Sequence, residues 1–431
     1  MLRPGLVSGR FAIASGIMRL TDEEEAMAAG AFGPVRQWAI RHQAAVARFF
    51  DAPDFVPVGQ AHIMADTESL GEAGVAWLEE LARTPLAERR VRIPTITDPR
   101  GLDFDSYERL KQTDAMADLE GRAIRAFEAL GVLMTNTCIN YQTVLPPTRG
   151  EHLAMGDTGV VIYANSVMGA HSNFEGGPSA LAAGLTGRTP RYGYHLPRHR
   201  RGTLHLETTW QPKDFAEWGA LGGIVGRIAN SYWQVPVVSG LQTKPGSDEL
   251  KHFGAALASF GSVALFHMPG ITPEAPTIAD VFDGPVPAAH KITAADRDAF
   301  FGGYDAKGDK VDVVVFAAPQ LSLIEMQEVA ALLDGRRIHP DTSLVVATSP
   351  EIKFAADRMG LTARIEASGG IVAAGVCFYQ SYAREMAEAN GWTRLLTNSA
   401  KLVNIIAGYG YKPTLAPMAA CIDSAVAGRI V

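Results

Sequence analysis

Short apolar runs alternate with helix-like stretches through the last third of the chain, and that alternation predicts a parallel sheet. Runs at 310–317, 343–348, 370–375 and 394–397 read as strands. Segments 322–334 and 350–359 read as helices, and helix-like sequence follows each of the last two runs. Strands joined through helices imply right-handed crossovers. Ligands of such sheets sit beyond the carboxyl ends of the strands, which here carry Ala318-Pro319, Ser349, Cys377 and Asn398-Ser399. Ser349 and Ser399 stand where helices begin, so they read either as N-caps or as part of an anion-binding edge.

The earlier part is less regular. Thr21 or Asp22 caps an acidic first turn and predicts a helix to about Ala29, and a second runs from the Gly33-Pro34 break to Phe49. Helices are predicted over 70–83 and 116–130, and a short strand interrupted by Pro94 over 91–97. The β-branched run 159–164 (GVVIYA) reads as a buried strand ending at Asn165-Ser166, and 263–267 (VALFH) reads as another. Small residues recurring over 218–229 and 249–260 predict closely packed helices. The Pro-rich segment 273–291 places the main boundary, giving an N-terminal extension at 1–17, an α/β region at 18–290 and a C-terminal parallel α/β domain at 291–431.

A chain of 431 residues exceeds what one core usually serves, so two or three subdomains are expected. Its 47% hydrophobic and 20% charged residues are those of an ordinary soluble protein. The net charge of -7 argues against a nucleic-acid surface, and the one compact basic run, Arg198 to Arg201, reads as a solvated loop. No apolar stretch reaches the roughly 20 residues of a membrane span. Residues 1–17 lack an apolar signal core, so the expected location is cytoplasmic. Cys138, Cys377 and Cys421 lie too far apart to suggest a disulfide framework and read as reduced thiols or metal ligands. Cys421, beside Met418, Ile422 and Ala425 in a predicted helix, reads as a core residue.

Polar residues are densest between Met134 and Leu196, where Cys138, Glu151, His152, Asn165, Ser166, His171, Asn173, Glu175 and Gly176-Gly177-Pro178 stand among apolar runs. Polar groups are costly to bury without partners, so this density predicts a lined cavity. Asn165 and Ser166 fit either a ligand contact or a turn, and Gly176-Gly177 either a close backbone approach or a tight turn. Lys401 is either a cation at the sheet edge or a solvated side chain.

Taken together, Met18-Arg19-Leu20-Thr21-Asp22, Ala61-His62-Ile63, Gly150-Glu151-His152, Tyr163-Ala164-Asn165-Ser166-Val167, Asn173-Phe174-Glu175-Gly176-Gly177-Pro178 and Thr397-Asn398-Ser399-Ala400-Lys401 resemble the large subunit, or catalytic domain, of aconitase X. The matches run in order along nearly the whole chain. The resemblance implies an aconitase-like architecture and a hydro-lyase acting on a small hydroxy acid or hydroxylated imino acid, cis-3-hydroxy-L-proline among them. It also implies an iron–sulfur cluster serving as Lewis acid on the departing hydroxyl, and a separate small swivel-domain partner.

By that resemblance Cys138 and Cys377 are metal ligands and Glu151 and His152 are catalytic, and His171, in the same polar stretch, is read as catalytic with them. His62, Asn165, Ser166, Asn173, Gly176, Gly177, Ser349, Asn398, Ser399 and Lys401 bind substrate. The thiols of Cys138 and Cys377 are expected to face a common hollow with His152. Two departures stand out. Ala318, in Ala317-Ala318-Pro319-Gln320, occupies the place of the family's third cluster cysteine, and His171 and Phe174 occupy places where the family commonly carries arginine. Two rival readings follow: a relative without a cluster that carries out other lyase chemistry, and a non-catalytic metabolite-binding subunit.

Overall fold

The computed structural model describes residues 12–13, 16–306 and 309–431, so most of the 1–17 extension lies outside the described residues. Helix α1 (Asp22–Ala29) starts with a capping box in which Thr21 accepts from Glu24 N and Glu24 reaches back to Thr21 N. Helix α2 (Pro34–Phe49) follows the glycine–proline break. Strand β1 (Ala61–Ile63) is the centre of a parallel three-stranded sheet, between β2 (Thr95–Thr97) and β3 (Ala154–Met155). Helices α3 (Thr67–Ala82) and α4 (Asp114–Ala129) pack beside it.

The strand predicted at 159–164 is a helix, α5 (Thr158–Tyr163), which runs into a π-helical turn at Ala164–Met168. Asp157 caps it by accepting from Val160 N. A short run apolar on every side fits a buried helix as well as a buried strand, and the cap decides between them. Helix α6 (Gly177–Thr186) follows, with Pro178 in its first turn.

Strands β4 (Leu204–Thr208), β5 (Pro236–Ser239) and β6 (His290–Ile292) form a second parallel sheet. Helices α7 (Phe215–Ala229) and α8 (Ser247–Gly261) lie against one another, and Gly222 brings α7 so close to the Phe253 carbonyl that a side chain would collide there. The strand predicted at 263–267 reduces to a single bridge between Val237 and His267, because only His267 reaches the backbone of β5.

The last third is a five-stranded, all-parallel sheet in the order β9-β8-β7-β10-β11. The strands are β7 (Val313–Leu321), β8 (Ser343–Thr348), β9 (Ile371–Ala374), β10 (Arg394–Thr397) and β11 (Lys412–Leu415). Helices α9 (Leu323–Leu332), α10 (Pro350–Arg358) and α11 (Ala400–Ile406) belong to its crossovers, α12 (Met418–Ala427) follows the last strand, and separate apolar cores cover the two faces of the sheet. Cys421 lies in one of these cores, as its neighbours in sequence predict. No helix among the described residues is long and apolar enough to cross a membrane.

Candidate functional site

The carboxyl ends of β7, β8 and β9 meet the loop after β2 and the segment 136–138, and the two thiols are brought together there. Cys138 and Cys377 are buried and hydrogen-bonded to one another, and that bond together with burial holds the Cys138 thiol well above its usual range. Gln320 fixes this junction. Its Oε1 accepts from Cys138 N at 3.2 Å, while Nε2 is shared by the carbonyls of Asn136, Thr348 and Val376 at 3.1, 3.2 and 3.1 Å. The Gln320 backbone N–H is directed at Cys138 Sγ at 3.4 Å.

Under the thiols lies a layer of buried charge. Lys401, on the first turn of α11, is sealed from solvent and donates to Asp157 Oδ2 at 3.1 Å. Burial works against its charge, but Asp157 and then the two thiols hold its pKa above the usual lysine value. Burial likewise opposes the Asp157 carboxylate, and Lys401 overcomes it and keeps that pKa low. Asp98, just past β2, is pushed well up by burial, by Asp157 and by Cys138. Gln380 donates to its Oδ2 at 3.0 Å, and His62 Nε2 lies 3.6 Å from Oδ1. His62 itself, bonded to the Thr137 carbonyl at 2.8 Å, is held neutral by burial.

The close neighbours of His152 are other imidazoles, and among the described residues no hydrogen bond joins it to either thiol. His152 stands in a second group, its Nδ1 2.9 Å from His195 Nδ1 and its ring centroid 4.8 Å from that of His171. Strand β3 stands between His152 and Asp157 along the chain. Burial and the nearby Arg200 hold His171 down to about 4, and burial with the neighbouring imidazoles holds His195 well below its usual value. Arg200 is buried rather than solvated. It pairs with Glu274 at 3.0 Å and donates to Asn165 O at 2.9 Å, while Arg198 of the same run is exposed. Glu151 Oε2 accepts from Thr148 N at 2.9 Å at the edge of this group.

Other candidates are engaged by the protein itself. Asn165 donates to the carbonyls of Ser172 and Ala264 and accepts from Ser172 N, each at 2.8 Å. Ser166 accepts from Phe266 N at 2.9 Å, and Asn173 is bonded to Tyr192, Tyr194 and Tyr232. Asn165 and Ser166 lie in the π-helical turn, not at a strand end. Ser349 and Ser399 are N-caps, accepting from Ile352 N and Leu402 N. Asn398 Nδ2 is buried with no partner among the described residues. Gly176 and Gly177 open α6, where a side chain at Gly177 would come 3.2 Å from the Met64 carbonyl.

Sequence reading does not single out Asp98, Asp157 or Gln320. Asp157 precedes a run that reads as a strand, so its cap is hidden, and Asp98 stands in a turn-prone loop whose destination only the fold reveals. The cluster that the resemblance implies calls for three cysteine thiolates. The structure supplies two, plus the methyl of Ala318, whose carbonyl is bonded by Ser399 Oγ at 2.5 Å. Among the described residues no set of three or more His, Cys, Asp or Glu is placed to hold a metal ion. This donor set does not fit a cluster held by three thiolates.

Comparison with known proteins gives a consistent answer along the chain. The first, second and third domains described for aconitase X match residues 17–198, 202–300 and 311–427. The phosphomevalonate dehydratase large subunit of Methanosarcina mazei is 33% identical over 416 residues, which span 96% of this chain and 98% of that protein. The cis-3-hydroxy-L-proline dehydratase of Pseudomonas aeruginosa is 31% identical, and the match spans 95% of this chain but 70% of that protein. The crystal structure of Thermococcus kodakaraensis aconitase X in its holo-form superposes with a TM-score of 0.84 at 28% identity, covering 95% of this chain and 100% of that one.

Proposed function

Because this chain belongs to the aconitase X family and is a hydro-lyase, we propose that it removes water from a small hydroxy acid or hydroxylated imino acid lacking a phosphate, with cis-3-hydroxy-L-proline the first candidate. The observation that carries the choice of substrate is the chemistry at 171 and 174. Arginine forks suit phosphates and dicarboxylates. His171 is held uncharged by burial and Arg200, and Phe174 packs against Tyr232, so neither offers a cation.

The chain acts as the large member of a two-chain enzyme: it spans nearly the whole of proteins named large subunits, which supports a separate small partner of swivel-domain type. Elimination of water requires a base at the carbon that loses its proton and stabilisation of the charge developing on the departing oxygen. Lys401, held cationic over Asp157, supplies positive potential to the thiol-lined centre. Asp98, kept protonated beside His62, holds a proton within the same buried layer.

The test is co-expression with the small chain and a dehydration screen over the hydroxyproline stereoisomers and phosphorylated mevalonate. The reading expects turnover of a phosphate-free substrate. Preference for phosphorylated mevalonate would return the chain to the activity named for its archaeal relatives.

A further inference from the structure

The absent third cysteine leaves a corner of the thiol site that some other group must close. We infer that Gln320 closes it, and that the site keeps Cys138 and Cys377 as a hydrogen-bonded thiol pair without assembling an iron–sulfur cluster. This rests on the family reading only for the identity of the corner.

Three observations carry it. Ala318, at that corner, has no atom able to ligate iron, and Ser399 ties its carbonyl down at 2.5 Å. Gln320, two residues on and wholly buried, spends both ends of its carboxamide on Cys138 N and on the carbonyls of Asn136, Thr348 and Val376. It thereby fixes the backbone beside each thiol. Swinging the carboxamide aside for a larger group would leave several buried polar groups unpaired.

The backbone of Gln320 is fastened from behind as well. Its carbonyl accepts from Lys251 Nζ at 3.2 Å. Lys251 pairs with Glu325, which also takes His252 Nε2 at 2.6 Å, and with Asp248 at 3.2 Å. Asp248 in turn accepts from Ser322 Oγ at 2.7 Å. This buried network joins α8 to the end of β7 and holds the corner shut.

The test is anaerobic reconstitution of the full-length chain with ferrous iron and sulfide, followed by desalting and measurement of bound iron, acid-labile sulfide and the visible spectrum. The chain is expected to retain neither iron nor sulfide, while folded Ala318→Cys, checked by circular dichroism, gains both together with visible absorption. Stoichiometric sulfide on the unmodified chain overturns the inference whatever the variant does. A folded Ala318→Cys chain that also stays colourless overturns the assignment of the corner. A dehydration assay of the same chain combined with its small partner tests the proposed function separately, so failure of that reading and failure of this inference are told apart.

Discussion

Lys401 Nζ lies 3.1 Å from Asp157 Oδ2, and the two side chains, 244 positions apart in sequence, are both shut away from water. The pair ties the first turn of α11, beyond the large parallel sheet, to the cap of α5. A lysine on a first turn reads as solvated from sequence alone; the fold makes it the buried cation of the thiol-lined centre.

Removing one partner of a buried ion pair leaves an uncompensated charge, which costs about 3–5 kcal/mol. Lys401→Met is therefore expected to lose stability of that order in urea unfolding. The double variant Lys401→Met, Asp157→Asn should recover most of it. A loss under about 1 kcal/mol, the range of exposed pairs, would mean that water reaches the site.

Gln320→Leu keeps the volume and removes the carboxamide. The amide of Cys138 and the carbonyls of Asn136, Thr348 and Val376 then lose a partner, at about 1–3 kcal/mol for each group left unpaired. Unfolding should show a clear fall in midpoint, and Gln320→Glu should fall as well, because a carboxylate cannot donate to the three carbonyls. Unchanged midpoints would show that the corner tolerates an apolar group.

Glu68 and Glu120, where α3 and α4 meet Tyr382, are each raised to about 7, chiefly by burial. A carboxyl raised on folding binds its proton more tightly in the native state. Its contribution is therefore fully present below the ordinary value of 4.5 and is lost as pH rises through about 7. From these two groups stability should decline between those values, and Glu120→Gln should make the decline shallower. Unfolding midpoints across that window check it, and a slope identical in the variant would contradict the assignment.

The Cys138 thiol, buried and held protonated, should be alkylated far more slowly in the native chain than in urea at mildly alkaline pH, because the thiolate is the reacting form. Peptide mapping after timed alkylation reads this directly. Labelling of Cys138 at the unfolded rate would place the thiol in solvent.

The parallel sheet was legible from its alternation of apolar runs and helices, and the caps at Thr21, Ser349 and Ser399 from their residue types. The helix at Thr158–Tyr163 was not, because six apolar or small residues carry no period and the deciding contact is one side chain at Asp157. The meeting of Cys138 with Cys377 follows from resemblance and from the carboxyl-end rule for such sheets. The grouping of His152 with His171 and His195 depends on the path of the chain, which local sequence does not state. Gln320 is a neutral polar residue inside an apolar strand, and only its four partners disclose its role.

The most direct test is proton NMR of cis-3-hydroxy-L-proline incubated with the complex of this chain and its small partner, beside the large chain alone and the Lys401→Met complex. The account expects loss of the hydroxyl-bearing carbon's signal only with the unaltered complex, and a fall of about 100-fold or more with Lys401→Met, as befits a group acting on the charge of the reacting centre. A Lys401→Met complex, shown to be folded, that eliminates water at the unaltered rate would contradict it.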